Sequence, residues 1–209
     1  MTAPPLFIVG DVQGCADELD DLLRLAAREP GRRLAFVGDL VNRGPKSRAV
    51  LERAVAEDAL VVVGNHEDGL LGGKRSDTLE RVRAELGADL PRWLAWIGAL
   101  PTYLAWPDLI LVHAGIAPGK RPEACTRAEL TRIREVDGRP WFDAWRGPET
   151  VVFGHWSVRG KVDLPLVKGL DTGCVYGGQL TGLSWPEQRW LSVPARRRWF
   201  DPIAMTPLW

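Results

Sequence analysis

Six polar residues stand where apolar runs end. Asp11 follows the run at 6–9 and Gly10. Asp39 follows 34–37 and Gly38. Asn65 and His66 follow 60–63 and Gly64. His113 directly follows 109–112, and His155 follows 151–153 and Gly154. The chain has 3 histidines, and all of them fall in this set. One such residue alone reads as a structural hydrogen bonder; six together point to a shared site. Carboxylate, imidazole and amide oxygen, with no thiolate among them, suit a hard or borderline divalent cation. One carboxylate can bridge two ions, and ions about 3.5–4 Å apart can clamp a phosphoryl group for in-line displacement.

The elements that must position these residues are legible in the spacing. Short runs that are apolar throughout suit strands covered on both faces. Sites in open α/β sheets lie at the carboxyl ends of strands. Residues 16–28 put Leu19, Leu22, Leu23 and Ala26 on one helical face, and Glu29-Pro30-Gly31 stops that helix. Residues 46–58 carry a similar stripe in Val50, Leu51, Ala54 and Val55. The first part is therefore expected to be β-α-β-α-β with right-handed crossovers, an α/β fold. Helices are expected over 77–87, 91–99 and 127–134. Strands are expected over 164–170, 179–185 and 189–193, punctuated by glycines and Pro186. A glycine before a ligand lets the backbone turn sharply at the strand end. The 10 tryptophans are expected to fill the core between layers.

Composition narrows the remaining choices. With 209 residues, 45% of them hydrophobic, the chain can build one substantial core, so a single domain over 1–209 is expected. Lys plus Arg and Asp plus Glu each number 27, so no global field argues for nucleic acid or an anionic membrane. The one basic run, Arg196–Arg198 by number 196–198, reads as a solvated surface turn. No stretch approaches the roughly 20 apolar residues of a membrane span, and the N-terminus has no basic region of a signal peptide. Cys15, Cys125 and Cys174 form no C-x-x-C spacing, which fits reduced thiols in a cytoplasm.

The ordered blocks GDVQG, GDLVNRG, GNHE, HAG and GH, running from Gly10 to His155, resemble the calcineurin-like metallophosphoesterase superfamily. The resemblance implies a sandwich of two β-sheets flanked by helices, with metals at the strand ends. It implies two divalent ions, Mn²⁺ first, with Fe, Co, Zn or Mg as alternatives. Asp11 would bind the first ion and Asp39 would bridge both. Asn65, His113 and His155 would bind the second. His66 would be the general acid or a transition-state stabiliser, and Arg43 would hold phosphate oxygens by charge-assisted hydrogen bonds. Gln13 stands where most of the superfamily has a histidine ligand. It is either a weak ligand through its amide oxygen or a hydrogen bonder beside the ligands. Asn42 stands where phosphoprotein phosphatases have an aspartate that orients the catalytic histidine. An asparagine supplies no negative charge to keep His66 protonated.

Further blocks are similar to one branch, the symmetrical diadenosine tetraphosphate hydrolases: GDVQGCADELDDLL, GDLVNRGPKS, FGHW at 153–156 and LDTGCVYGGQLTGL at 170–183. LTRIR at 130–134 resembles a branch segment with a phosphate-binding arginine, assigned here to Arg134 rather than Arg132. The implied reaction is attack of a metal-bridging hydroxide on a dinucleoside polyphosphate, turning diadenosine tetraphosphate into two ADP. The alternatives are a Ser/Thr or Tyr phosphoprotein phosphatase, with phosphoproteins as partners, and a metal- or nucleotide-binding module without turnover. The stretch from His113 to Gly154 is shorter than in full-length members of that branch, which bears on substrate choice more than on chemistry.

Overall fold

The computed structural model describes residues 1–27 and 30–201. In chain order its elements are β1 (Leu6–Val9), α1 (Ala16–Ala26), β2 (Arg33–Phe36), α2 (Ser47–Ala56), β3 (Leu60–Val61), α3 (Asn65–Leu71), α4 (Asp77–Leu86), α5 (Leu90–Gly98), β4 (Tyr103–Ala105), β5 (Leu109–Val112), α6 (Arg127–Arg132), β6 (Glu135–Val136), β7 (Arg139–Pro140), β8 (Thr150–Phe153), β9 (Val162–Leu164), β10 (Val167–Gly169), β11 (Gln179–Trp185) and β12 (Arg189–Pro194). Two five-stranded sheets result, ordered β12-β11-β1-β2-β3 and β4-β5-β8-β10-β9. Strands β1, β2 and β3 run parallel, as do β5, β8 and β10. The antiparallel neighbours are β11 and β12 on one sheet and β4 and β9 on the other.

Side-chain alternation decides the layering. Leu6, Ile8, Ala35, Val37 and Val62 of the first sheet meet Leu109, Leu111, Val152 and Leu170 of the second in one buried cluster. Their neighbours Phe7, Val9, Leu34 and Phe36 face the other way. They pack with Leu19, Leu22, Val50, Leu51, Leu79 and Trp93 of the helices. On the far side Ile110, Val112, Val151 and Phe153 pack against Leu130 of α6 and against Trp141 and Phe142. Each central strand is thus covered twice, which is why its run is apolar at every position. The sandwich flanked by helices is the architecture expected. Trp93, Trp141 and Trp185 are core residues, one in each cluster.

Three local differences have simple causes. Residues 164–170 are not one strand. Leu164 pairs with Val167 across a tight reversal at Pro165-Leu166, and proline has no N–H to continue a ladder. Helix α3 starts at Asn65, inside a motif read only for its ligands; seven residues are too few for periodicity to show. Helix α1 ends at Ala26, and residues 28 and 29 of the expected helix and its stop lie outside the described residues. No helix among the described residues is long and apolar enough to cross a membrane, and the three cysteines are free.

Candidate metal centre

The residues that follow β1, β2, β3, β5, β8 and β10 meet at one edge of the sandwich. Both Asp11 carboxylate oxygens accept from the His155 N–H, at 3.0 and 3.2 Å. The Asp39 Oδ1 accepts from the His66 N–H at 2.9 Å. The His113 Nδ1 lies 2.8 Å from the Val37 carbonyl, which only accepts, so Nδ1 carries the hydrogen. The lone pair on His113 Nε2 then faces Asn65 Oδ1 at 3.1 Å and Asp39 Oδ1 at 3.4 Å. By the same reasoning His155 Nε2 donates to the Arg132 carbonyl, and its Nδ1 lone pair faces Asn65 Oδ1 at 2.7 Å. Lone pairs turned toward one another are what a bound cation resolves. Asp11, Asp39 and His113 each offer a ligand atom within 4.8 Å of the others. This donor set fits a divalent ion.

The electrostatics agree. Burial, then the neighbouring Asp171 and Asp39, push the Asp11 carboxyl well above its usual range. Asp171 is raised to about 6, by burial first. Burial would raise Asp39 too, but the imidazoles of His113, His66 and His155 outweigh it and hold Asp39 below the usual range. Three buried carboxyls therefore crowd together, and the Arg43 guanidinium opposes the rise at Asp171. His155 is lowered to about 3 by burial and by His113, which keeps it neutral and able to ligate.

The backbone is bent at the candidate ligands and their neighbours. Eight non-glycine residues among those described have positive φ, and five are Gln13, Asp39, Asn42, Arg43 and His155. Such conformations cost roughly 1–3 kcal/mol each and persist where the surroundings impose them. The glycine expectation is corrected in part: of the glycines before ligands only Gly38 has positive φ. Gly64 and Gly154 are needed for space. A Cβ on Gly64 would sit 2.2 Å from Asp39 Oδ1, and one on Gly154 would sit 2.0 Å from Asp11 Oδ1.

What imposes the bend at Asp39 is Glu67, a residue to which the motif reading assigned no role. Its Oε2 accepts from the Asp39 and Gly64 N–H groups at 2.8 and 2.9 Å. Its Oε1 accepts from Leu40 and Val41 at 2.9 and 3.1 Å. Burial and the Asp39 charge raise this fully buried carboxyl, and the Val41, Gly64 and Asp39 N–H donors oppose them. Asp171 was also missed. The run before it, on β10, ends in a polar residue just as the others do, and that was the available signal.

The remaining expected residues are placed as follows. Gln13 donates to Asp39 Oδ2 and accepts from Arg43, both at 3.4 Å. Arg43 also donates to the Tyr176 hydroxyl. Its guanidinium lies 5.4 Å from the Tyr176 ring centroid and 5.3 Å from that of Phe200. His66 is buried, with Nδ1 3.2 Å from the Val41 carbonyl and Nε2 3.7 Å from Asp39 Oδ2. Burial lowers it to about 4, against the pull of Asp39. The Asn42 oxygen accepts from the Arg43 N–H at 2.9 Å, and among the described residues no hydrogen bond joins Asn42 to His66. Arg134 is exposed and donates to the His155 carbonyl at 3.3 Å. The run at 196–198 is not merely solvated: Arg196 binds Asp21 at 2.9 Å.

A family model described as calcineurin-like phosphoesterase matches residues 4–209. The chain belongs to that family. It is accordingly a metal-dependent hydrolase of phosphoesters. Among curated relatives, a symmetrical bis(5'-nucleosyl)-tetraphosphatase of Janthinobacterium sp. (strain Marseille) is 35% identical, with 90% of this chain and 95% of the relative covered. An asymmetrical one, PrpE of Halalkalibacterium halodurans, is 34% identical over 91% of this chain and 94% of its own length. The first alignment runs over 262 positions and the second over 230. Both exceed the 209 residues of this phosphoesterase, so both relatives carry insertions that it lacks, and the symmetrical enzyme carries more. A solved structure provisionally assigned as a diadenosine tetraphosphatase superposes with a TM-score of 0.83 at 34% identity, covering 92% of this chain and 94% of that one. A metallophosphoesterase from Sphaerobacter thermophilus shares the fold, with a TM-score of 0.60 at 16% identity and coverage of 93% and 89%.

Proposed function

We propose that this phosphoesterase, acting as one domain, hydrolyses dinucleoside polyphosphates symmetrically, taking diadenosine tetraphosphate and water to two ADP. Asp11, Asp39, Asn65, His113 and His155 would hold two divalent ions, with Mn²⁺ the first candidate. Gln13 would steady Asp39 and Arg43 rather than bind metal strongly. Such ions supply Lewis-acid polarisation of phosphoryl oxygens and a nucleophile from water near neutral pH.

The residues of the chain do the rest. Arg43, held by Tyr176 and flanked by two rings, presents its guanidinium to phosphoryl oxygens. Arg134, bonded to the His155 carbonyl, would add a second cation. The observation that carries the substrate choice is the setting of His66. Its Nδ1 rests on a neutral carbonyl, and burial holds the ring to about 4, so at neutral pH it carries no proton to spare. Entry of an anionic substrate favours the charged ring and lets Nε2 pass a proton to the leaving oxygen. A leaving nucleotide phosphate, with a second pKa of about 6, needs little such help. A serine or tyrosine oxygen leaving from a phosphoprotein is far more basic and needs it fully. The curated relatives named tetraphosphatases support the same choice.

The test is hydrolysis of diadenosine tetraphosphate with Mn²⁺, products separated by ion exchange, beside a phosphopeptide panel. ADP as sole product supports the proposal. ATP with AMP would move it to asymmetrical cleavage, the chemistry named for the Halalkalibacterium relative. Phosphopeptide turnover with the dinucleotide intact would overturn it.

A further inference from the structure

A groove of ≈ 570 Å³ opens beside the metal centre. Two of its lining residues tie it to that centre. Tyr176 accepts from Arg43, and Arg134 donates to the carbonyl of His155. Its volume exceeds what a phosphoryl group fills and lies within the roughly 300–1,000 Å³ of small-molecule sites.

The lining is mixed. Arg134 and Arg198 bring positive charge; Arg198 is paired at 3.4 Å with Asp201, itself a lining residue, while Arg134 has no carboxylate within ion-pair reach among the described residues. Tyr176, Val158 and the glycines at 173, 177 and 178 bring flat or apolar surface. Val158 is 95% exposed, an apolar side chain left in water at the rim. The glycine N–H groups of the floor are already committed. Those of Gly177 and Gly178 bond Cys174 and Gly173 carbonyls, and that of Gly173 bonds Asp171. The floor thus offers faces to lie against and no ladder for an extended peptide. A cation, Arg134, at the metal end and a glycine-rich, partly apolar surface beyond it match a ligand with a phosphate chain and a planar ring.

We infer that this groove is a nucleoside subsite: it receives the sugar and base of one nucleotide arm while Arg134 and Arg43 hold that arm's phosphates. The inference deepens the proposed dinucleotide reading and rests on it. It makes Val158 a specificity residue that touches the nucleoside and leaves the metals alone.

Calorimetry on the Mn²⁺-loaded full chain tests it without turnover, using ADP and inorganic phosphate as probes. The wild type should bind ADP at least about tenfold more tightly than phosphate. Val158→Glu adds a like charge near the nucleotide and removes the apolar contact. It should weaken ADP about tenfold, the scale of one charge pair at a partly screened surface, and phosphate less than about twofold. Val158→Lys removes the same contact without the repulsion, so its ADP affinity should lie between the other two. The side chain is exposed, so none of these changes touches the core. Equal affinity of the wild type for ADP and phosphate would overturn the inference. So would Val158→Glu weakening both probes alike, or neither. Failure to cleave diadenosine tetraphosphate would overturn the proposed function and leave this binding result readable in its own right.

Discussion

Glu67→Gln is the sharpest perturbation the structure offers. Four buried N–H groups, on Asp39, Leu40, Val41 and Gly64, share the two oxygens of one carboxylate. Glutamine keeps one oxygen and places an amide NH₂ where the other stood. Two of the four N–H groups then face a donor in a fully buried place. Each unsatisfied group costs about 1–3 kcal/mol, so the substitution should cost about 4 kcal/mol. That is a large share of the roughly 5–15 kcal/mol by which a domain is stable. Equilibrium unfolding of metal-free protein in urea should show the midpoint falling at an unchanged slope. Mn²⁺ affinity should fall as well, because the same bonds hold the Asp39 turn. A loss below about 1 kcal/mol would refute the reasoning, since it would mean the N–H groups find other partners.

Four further outcomes follow from the site. Arg43→Ala should lower kcat by about 10²–10³-fold in steady-state assays, the usual loss for one charge-stabilising donor. Tyr176→Phe keeps the ring beside Arg43 and removes the hydroxyl, so it should lower kcat/KM about tenfold, the worth of a hydrogen bond to a charged group, with the fold unchanged by circular dichroism. Mn²⁺ affinity should climb as pH rises through about 6, because Asp171 is raised to about 6 and Asp11 above its usual range, and binding must expel their protons; Asp171→Asn should flatten the profile near pH 6 measured by calorimetry. In EDTA-treated protein the unfolded chain takes up protons below pH 6.5 that His66 refuses until about 4. Stability should therefore be lost as pH falls across that window, and His66→Gln should show a shallower loss in thermal melts.

The parts of the site that were legible share one property: they are local. A strand covered on both faces must be apolar at every position, so its end is visible as the first polar residue. Asp11, Asp39, Asn65, His113 and His155 were found that way, and the structure brings all five together. Glu67 lies in the same motif, yet its role could not be read, because its four partners sit 3 to 28 residues away. Asn42 stands where phosphoprotein phosphatases have a histidine-orienting aspartate; its backbone has positive φ and its oxygen accepts from the Arg43 N–H, a local bond that no motif spells out.

By itself, then, the sequence determined most of the strands, the longer helices and the candidate ligand types at the strand ends, because burial on two faces and helical periodicity act over a few residues. Only the tertiary structure decided what those ends share. Two separate sheets had to pack through Val37, Leu111 and Val152 before carboxyls from β1, β2 and β10 could crowd into one place. Arg43 and Tyr176, 133 residues apart, had to meet before the arginine had a fixed direction. The groove beyond them exists only because 134, 157–158, 172–178, 198 and 201 converge. Distances of that kind are set by how layers stack, and no spacing along one chain segment contains them.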